Sequence, residues 1–179
     1  MNRILACIHT LEQHAEAVAN DPEIYRPLAC PHCQAGGLWR HGHYERQADR
    51  RPGHRTSLNP VRVLRFLCPP CERTCSRLPA CIAPRRWYAW SVQQVVLLLL
   101  LLGGFSLQHC AGCAGCDRRT VGRWRDWLGE RGESFAFFLR SRLPELGRFS
   151  DHASFWRNVI DSLSLQQAMV WLDLDLVVP

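Results

Sequence analysis

Cys30-Pro31-His32-Cys33 and Cys68-Pro69-Pro70-Cys71 decide how this chain folds. Each is a C-x2-C knuckle, and 34 residues separate the two. Two residues between thiolates let both sulfurs reach one ion from a tight turn, and two such turns complete a tetrahedron. The prolines stiffen each turn. The spacing therefore predicts a Zn2+ site with Cys30, Cys33, Cys68 and Cys71 as ligands. A redox C-x-x-C would sit between a strand and a helix, a context this sequence does not offer. Cys75, four residues beyond Cys71, and Cys81 are alternative ligands, but the C-x2-C pair has the better geometry. His32 reads as an imidazole beside the ion. His41 and His43 alternate along a strand, where packing or phosphate contact suits them better than ligation.

Outward from the knuckles, strands are expected over Leu38–Tyr44 and Val61–Leu67, which makes residues 30–84 a zinc ribbon. The stretch Gln47–Pro60 between them is rich in Arg, Pro, Gly and Ser and reads as an exposed loop with Arg50, Arg51 and Arg55 at its tip. So small a unit has little apolar mass, and structural zinc supplies on the order of 10–16 kcal/mol in small fingers. Upstream, over residues 1–29, Ile4, Ile8, Leu11, Ala15 and Val18 recur at steps of four and three, which predicts a helix over 2–19. Cys7 reads there as a small core residue.

Downstream the period is helical. A first helix is expected over Trp87–Leu102, stopped by Gly103-Gly104, with Ser106 capping a second over 106–114. Gly115 makes a tight turn, and Asp117 caps a third helix to about Leu128, closed by Gly129 and Gly132. A short helix, a glycine turn and a capped helix within 85–132 make a helix-turn-helix. Leu107, Cys110, Ala111 and Ala114 form one inner face, and Val121, Trp124 and Leu128 the other, with Cys116 the apolar residue of the turn. The spacing of Cys110, Cys113 and Cys116 leaves a second metal site open, although a turn intervenes and only His109 offers a fourth ligand. The outer face carries Arg118, Arg119, Thr120, Arg123 and Arg125. A recognition helix reads base edges with its first turns, and Arg bidentate to guanine is the commonest specific contact.

Charge follows the same division. All 22 basic residues are Arg, against 16 acids. Residues 30–128 hold 15 Arg and five acids, a local +10, whereas the two flanks are each −2. A basic middle in an acidic frame points to a polyanion met by that middle. The longest apolar run, Val95–Leu102, is eight residues, whereas a membrane span needs about 20. Ten cysteines with no export signal imply a reducing compartment, hence a cytoplasmic protein with no membrane partner.

Together these features resemble the N-terminal part of certain bacterial insertion-sequence transposases, in which a zinc ribbon precedes a helix-turn-helix. The likeness covers Cys30 to about Trp127. It is carried by Cys30-Pro31-His32-Cys33, His41-Gly42-His43-Tyr44-Glu45-Arg46, Val63-Leu64-Arg65-Phe66-Leu67-Cys68-Pro69-Pro70-Cys71-Glu72-Arg73-Thr74, Leu78-Pro79 and Arg118-Arg119-Thr120-Val121-Gly122-Arg123-Trp124. It implies a binder of transposon ends, with double-stranded DNA as partner; a separate transposase or other protein is a further candidate partner, and pairing of helix-turn-helix units on two half-sites makes a homodimer the candidate assembly. Cys75 stands where an apolar or aromatic residue is usual, and Gly122 where a larger one is.

After Leu128 only 51 residues remain, too few for a nuclease core of about 100. Residues 133–179 read as two or three helices broken by Pro144 and Gly147. Val170–Val178 reads as a closing strand, and its Asp173 and Asp175 cannot alone build a two-metal site. The expectation is thus an α+β DNA-binding protein with no catalytic core. One alternative is a zinc-dependent docking module using Phe135, Phe137, Phe138, Phe155 and Trp156. The other is a nuclease completed by another chain through Asp173 and Asp175.

Overall fold

The computed structural model describes residues 3–49, 58–84 and 88–176, and the expected loop-tip residues Arg50, Arg51 and Arg55 lie outside them. The architecture is mixed α+β, with the small sheets in the first half of the chain and long helices in the second.

The N-terminal helix expected over 2–19 divides in two. Ile4–Leu5 is a strand, β1, and only Leu11–Asn20 is helical, as α1. The helix starts where it does because Thr10 and Gln13 form a capping box. The Thr10 hydroxyl accepts from the Gln13 N–H at 3.2 Å, and the Gln13 side chain accepts from the Thr10 N–H at 3.2 Å. Ile4 and Ile8 mimic a helical stripe in sequence, but Ile4 and Leu5 are claimed by a later strand. Cys7, between the two elements, is exposed rather than core.

Trp39–Arg46 is β2, Val61–Leu67 is β3 and Thr74–Cys75 is β4, paired antiparallel in the order β2-β3-β4. The central strand buries Val61, Val63, Leu64 and Phe66. Strand β2 is an edge, and a register shift between Arg40 and His43 bulges it at Gly42, whose φ of 76° needs no Cβ. Leu78–Pro79 is β5 and pairs parallel with β1, Ile4 opposite Leu78.

The second half packs α2 (Trp90–Leu101), α3 (Leu107–Ala114), α4 (Arg118–Arg142) and α5 (His152–Leu172) around Trp124, Phe135, Leu139, Phe155 and Trp156, all at most 2% exposed. Helix α4 does not close at Gly129 and Gly132. It runs 25 residues and crosses the boundary expected at 132. A Cβ on Gly132 would lie 2.9 Å from His152 Cε1, so that glycine admits α5 against α4 instead of ending the helix. Pro144 opens a short 3-10 turn, Pro144–Arg148, between the two.

Helix α5 is broken at Ser164, where φ is 67°. The break frees the Leu165 N–H, which donates to Gln94 Oε1 of α2 at 2.8 Å. Among the described residues the expected C-terminal strand does not form: Val170–Leu172 finish α5, and Asp173 follows as its cap. Asp173 Oδ2 accepts the Ile4 N–H at 2.8 Å, while Trp90 Nε1 donates to the Ala80 carbonyl at 3.0 Å. Ile4, Ala80 and Val170 pack together at this seam, so the first strand, the ribbon exit and the last helix share one boundary.

Gln94→Ala strands the Leu165 N–H and should cost about 1–3 kcal/mol in chemical denaturation, whereas the exposed Gln108→Ala should cost little. Burial pushes the Asp173 carboxyl up to about 6 from 3.8, against the opposing bond from Ile4. A folded value above the unfolded one makes its contribution full below about pH 4 and lost as pH rises through about 6. Melting curves across that window should show Asp173→Asn gaining on the parent as pH rises; parallel curves would refute this.

Candidate metal centre and the exposed arginine face

The two knuckles have the same backbone design. In the first, the Cys30 N–H donates to the Ala35 carbonyl at 2.7 Å and the Gln34 N–H to the Cys30 carbonyl at 2.9 Å. In the second, the Cys68 N–H donates to the Arg73 carbonyl at 2.9 Å and the Glu72 N–H to the Cys68 carbonyl at 2.8 Å. Gln34 and Glu72 occupy matching left-handed positions, φ 63° and 55°. The first knuckle leads toward β2, and the second joins β3 to β4. The antiparallel pairing of β2 with β3 therefore brings together cysteines far apart in sequence.

The four Sγ atoms lie within 4.8 Å of one another. Cys30 and Cys71 are 3.6 Å apart, and Cys33 and Cys68 are 3.5 Å apart. A tetrahedron of thiolates with metal–sulfur bonds of about 2.3 Å has sulfurs about 3.8 Å apart, so the donor set fits one ion. Cys30 and Cys68 are fully buried in a small cluster with Leu5, Ile8, Tyr25, Leu38, Leu64 and Phe66, while Cys33 faces solvent. Burial raises the Cys30 thiol, but N–H groups of His32 and Cys33 and the neighbouring sulfurs outweigh it and bring it to about 6. The His32 backbone N–H lies 3.4 Å from Cys30 Sγ, so His32 serves the site through its main chain while its side chain is exposed.

The other cysteines stand apart. Cys75 donates its thiol to the Phe66 carbonyl at 3.7 Å, and burial pushes it up to about 11. Burial likewise pushes Cys81 up to about 12. Cys110 is buried and Cys116 half-buried in the helical core, while Cys113 is exposed with its sulfur 3.5 Å from His109 Nε2. Among the described residues no second group of three or more metal-binding side chains converges.

Helices α3 and α4 meet through a turn whose parts the sequence names. Ser106 Oγ accepts the His109 N–H at 3.2 Å, Gly115 ends α3 at φ 61°, and Asp117 Oδ1 accepts the Arg119 N–H at 2.7 Å. Val121, Trp124 and Leu128 are buried and Leu107 and Ala114 pack beside them, which leaves the opposite side of α4 outward. Arg118, Arg119, Arg123 and Arg125 are exposed and Thr120 is half-buried. Arg118, Arg119 and Arg123 line one shallow cleft with Leu107, Gly122 and Asp126. Arg125 turns to Asp126, with Nε and Nη2 at 2.9 and 2.7 Å from Oδ1, a pairing written in the sequence as adjacent opposite charges. A Cβ on Gly122 would come no nearer than 3.9 Å to Leu107, so nothing in the fold requires glycine there.

The side chains named for the two alternative readings are engaged within the fold. Phe135, Phe155 and Trp156 belong to the core, leaving Phe137 as the exposed aromatic among the five. Asp173 is spent on Ile4, and Asp175 pairs with Arg142 at 2.8 Å. No described helix is long and apolar enough to cross a membrane. Compared with known proteins, the chain matches no family model, no curated protein and no solved structure.

Cys68→Ser should lose bound metal, read by native mass spectrometry, and broaden the resonances of residues 28–79. The amides of α4, with their own core, should stay dispersed. A serine variant that keeps one ion per chain and an unchanged spectrum would contradict the four-sulfur site.

Proposed function

We propose that this chain is a zinc-containing, sequence-specific DNA-binding protein, associated with transposition and acting in the cytoplasm. It binds transposon ends or an operator and has no catalytic core of its own. The observation that carries the reading is the exposed outward fan of Arg118, Arg119 and Arg123 on the first turns of α4, lining one shallow cleft. That fan sits behind a capped glycine turn and is held rigid by a buried inner face. On this reading α3 and α4 form a helix-turn-helix, α4 enters the major groove, and the arginines meet guanine edges and phosphates. Four sulfurs with no hard oxygen ligand favour zinc over calcium or magnesium. The knuckles with β2, β3 and β4 then form a zinc ribbon whose ion stabilises a small core. The link to transposition rests on the motif likeness to insertion-sequence transposases, and a separate transposase is the protein partner it suggests. A homodimer reading two half-sites is the simplest assembly for such a helix. The engagement of Asp173 and Asp175 within the fold weighs against the nuclease alternative.

The test is selection of duplexes from random DNA by the zinc-loaded protein, followed by affinity measurements across salt. Arg119→Ala and Arg123→Ala should each cost roughly 1–3 kcal/mol at the selected site. Arg125→Ala should cost less, because Asp126 already occupies that guanidinium. Affinity should fall steeply with salt, since phosphate contacts release counterions. No enriched sequence together with a flat salt response would overturn the reading.

A further inference from the structure

A second concave site lies away from α4, where the ribbon exit meets the first strand. It is a cleft of about 320 Å³ bounded by the first knuckle, β2, β4 and the start of β5. Arg3, Arg46 and Arg77 all line it, together with hydroxyl groups of Tyr44, Thr74 and Ser76, and no Asp or Glu does so among the described residues. Arg65 of β3 donates to the Thr74 hydroxyl of this wall at 3.3 Å.

Arg77 is the informative member. Its Nε is sealed from solvent and has no hydrogen-bond partner. Burial works against its positive charge; the Cys7 sulfur and then Asp173 relieve it in part, neither of them lines the cleft, and Asp173 already accepts from the Ile4 N–H. An arginine N–H buried without an acceptor is costly, so the fold holds the Arg77 side chain in the cleft wall without using all of its donors. Arg46, by contrast, is anchored through the Ala83 carbonyl, which fixes one cation in the wall. Cys75, also in the wall, is a neutral thiol and adds no negative charge.

The donors outnumber what a carboxylate accepts. Three forked guanidiniums and three hydroxyls suit a tetrahedral oxyanion with several acceptor oxygens and one or two negative charges. The volume lies at the small end of ligand sites. We infer that this cleft, centred on Arg77, is a phosphate-binding site. The phosphate is either free or part of a nucleic-acid backbone, and only the second source rests on the DNA-binding reading above. In that case the cleft would clamp a backbone phosphate beside the ribbon, adding affinity without reading sequence.

The metal-loaded full chain is titrated with inorganic phosphate, followed by amide and arginine side-chain NMR, for the parent, Arg77→Ala and the milder Ser76→Ala. Metal content and dispersed α4 amides serve as the folding control. If Arg77→Ala does not fold, Ser76→Ala alone carries the comparison. The expected result is saturable binding that perturbs Arg77 and Ser76 and weakens about tenfold or more in Arg77→Ala, and less in Ser76→Ala. In a second arm, a duplex of fixed sequence is bound across salt. If the occupant is a backbone phosphate, Arg77→Ala lowers the salt slope by about one with the preferred sequence unchanged, and phosphate competes with the duplex. If the occupant is free phosphate, the duplex affinity is unchanged by the substitution. A parent chain that binds no DNA leaves the first arm intact. The inference is overturned if phosphate fails to saturate at Arg77, or binds the variants as it binds the parent, while the duplex response is also unaltered.

Discussion

The core around the two knuckles hangs on four sulfurs being brought within a few ångströms of one another by two copies of the same backbone turn. Each turn hydrogen-bonds on itself, between Cys30 and Ala35 and between Cys68 and Arg73, so each C-x2-C pair is preshaped locally. What unites the pairs is the β2–β3 ladder and a buried cluster of modest size in which Cys30 and Cys68 themselves take part. With so few apolar residues behind it, the cluster gains cohesion from whatever the sulfurs hold, which is the general condition of small metal-dependent units.

The second half needs no such help. Its helices close over several large aromatic side chains, and interlocking edge-to-face contacts run from Trp127 through Phe135 to Trp156 and on to Phe155. The rigidity of α4 over 25 residues comes from this face. It lets the arginines of the first turns project from a fixed platform. The seam at Ile4, Ala80 and Val170 joins the two halves, with Asp173 and Trp90 each supplying one buried hydrogen bond across it. The arginine cleft opens beside this seam, so the contacts that hold the halves together also set the walls of the second site.

Where local pattern and structure differ, a long-range partner overrides the local pattern. Ile4 fits a helical stripe with Ile8 and Leu11, yet β5 claims it together with Leu5. Gly129 and Gly132 look like stops, yet α4 passes through both because burial of Phe135 and Leu139 outweighs the roughly 1 kcal/mol a helical glycine costs. Val170–Val178 alternates like a strand, yet Val170–Leu172 end a helix whose second half is capped by Gln94 from another element. Neither Gln94 nor Arg77 carries any local signal, since a polar residue near an apolar run is ordinary until its partner, or its lack of one, is known.

The sequence alone determined which four cysteines form the candidate metal site, the capped turn between α3 and α4 and the outward arginines. These depend on chemistry and spacing within a few residues: a C-x2-C turn, a glycine that tolerates positive φ, an acid that caps a helix, and a period of 3.6. Tertiary structure alone decided that the knuckles meet and that Asp173 ties the last helix to the first strand. It also decided that Phe135, Phe155 and Trp156 turn inward, and that Arg3, Arg46 and Arg77 line one cleft. Those outcomes depend on which distant surfaces exclude water together, a property of the packed chain that no short window of residues contains.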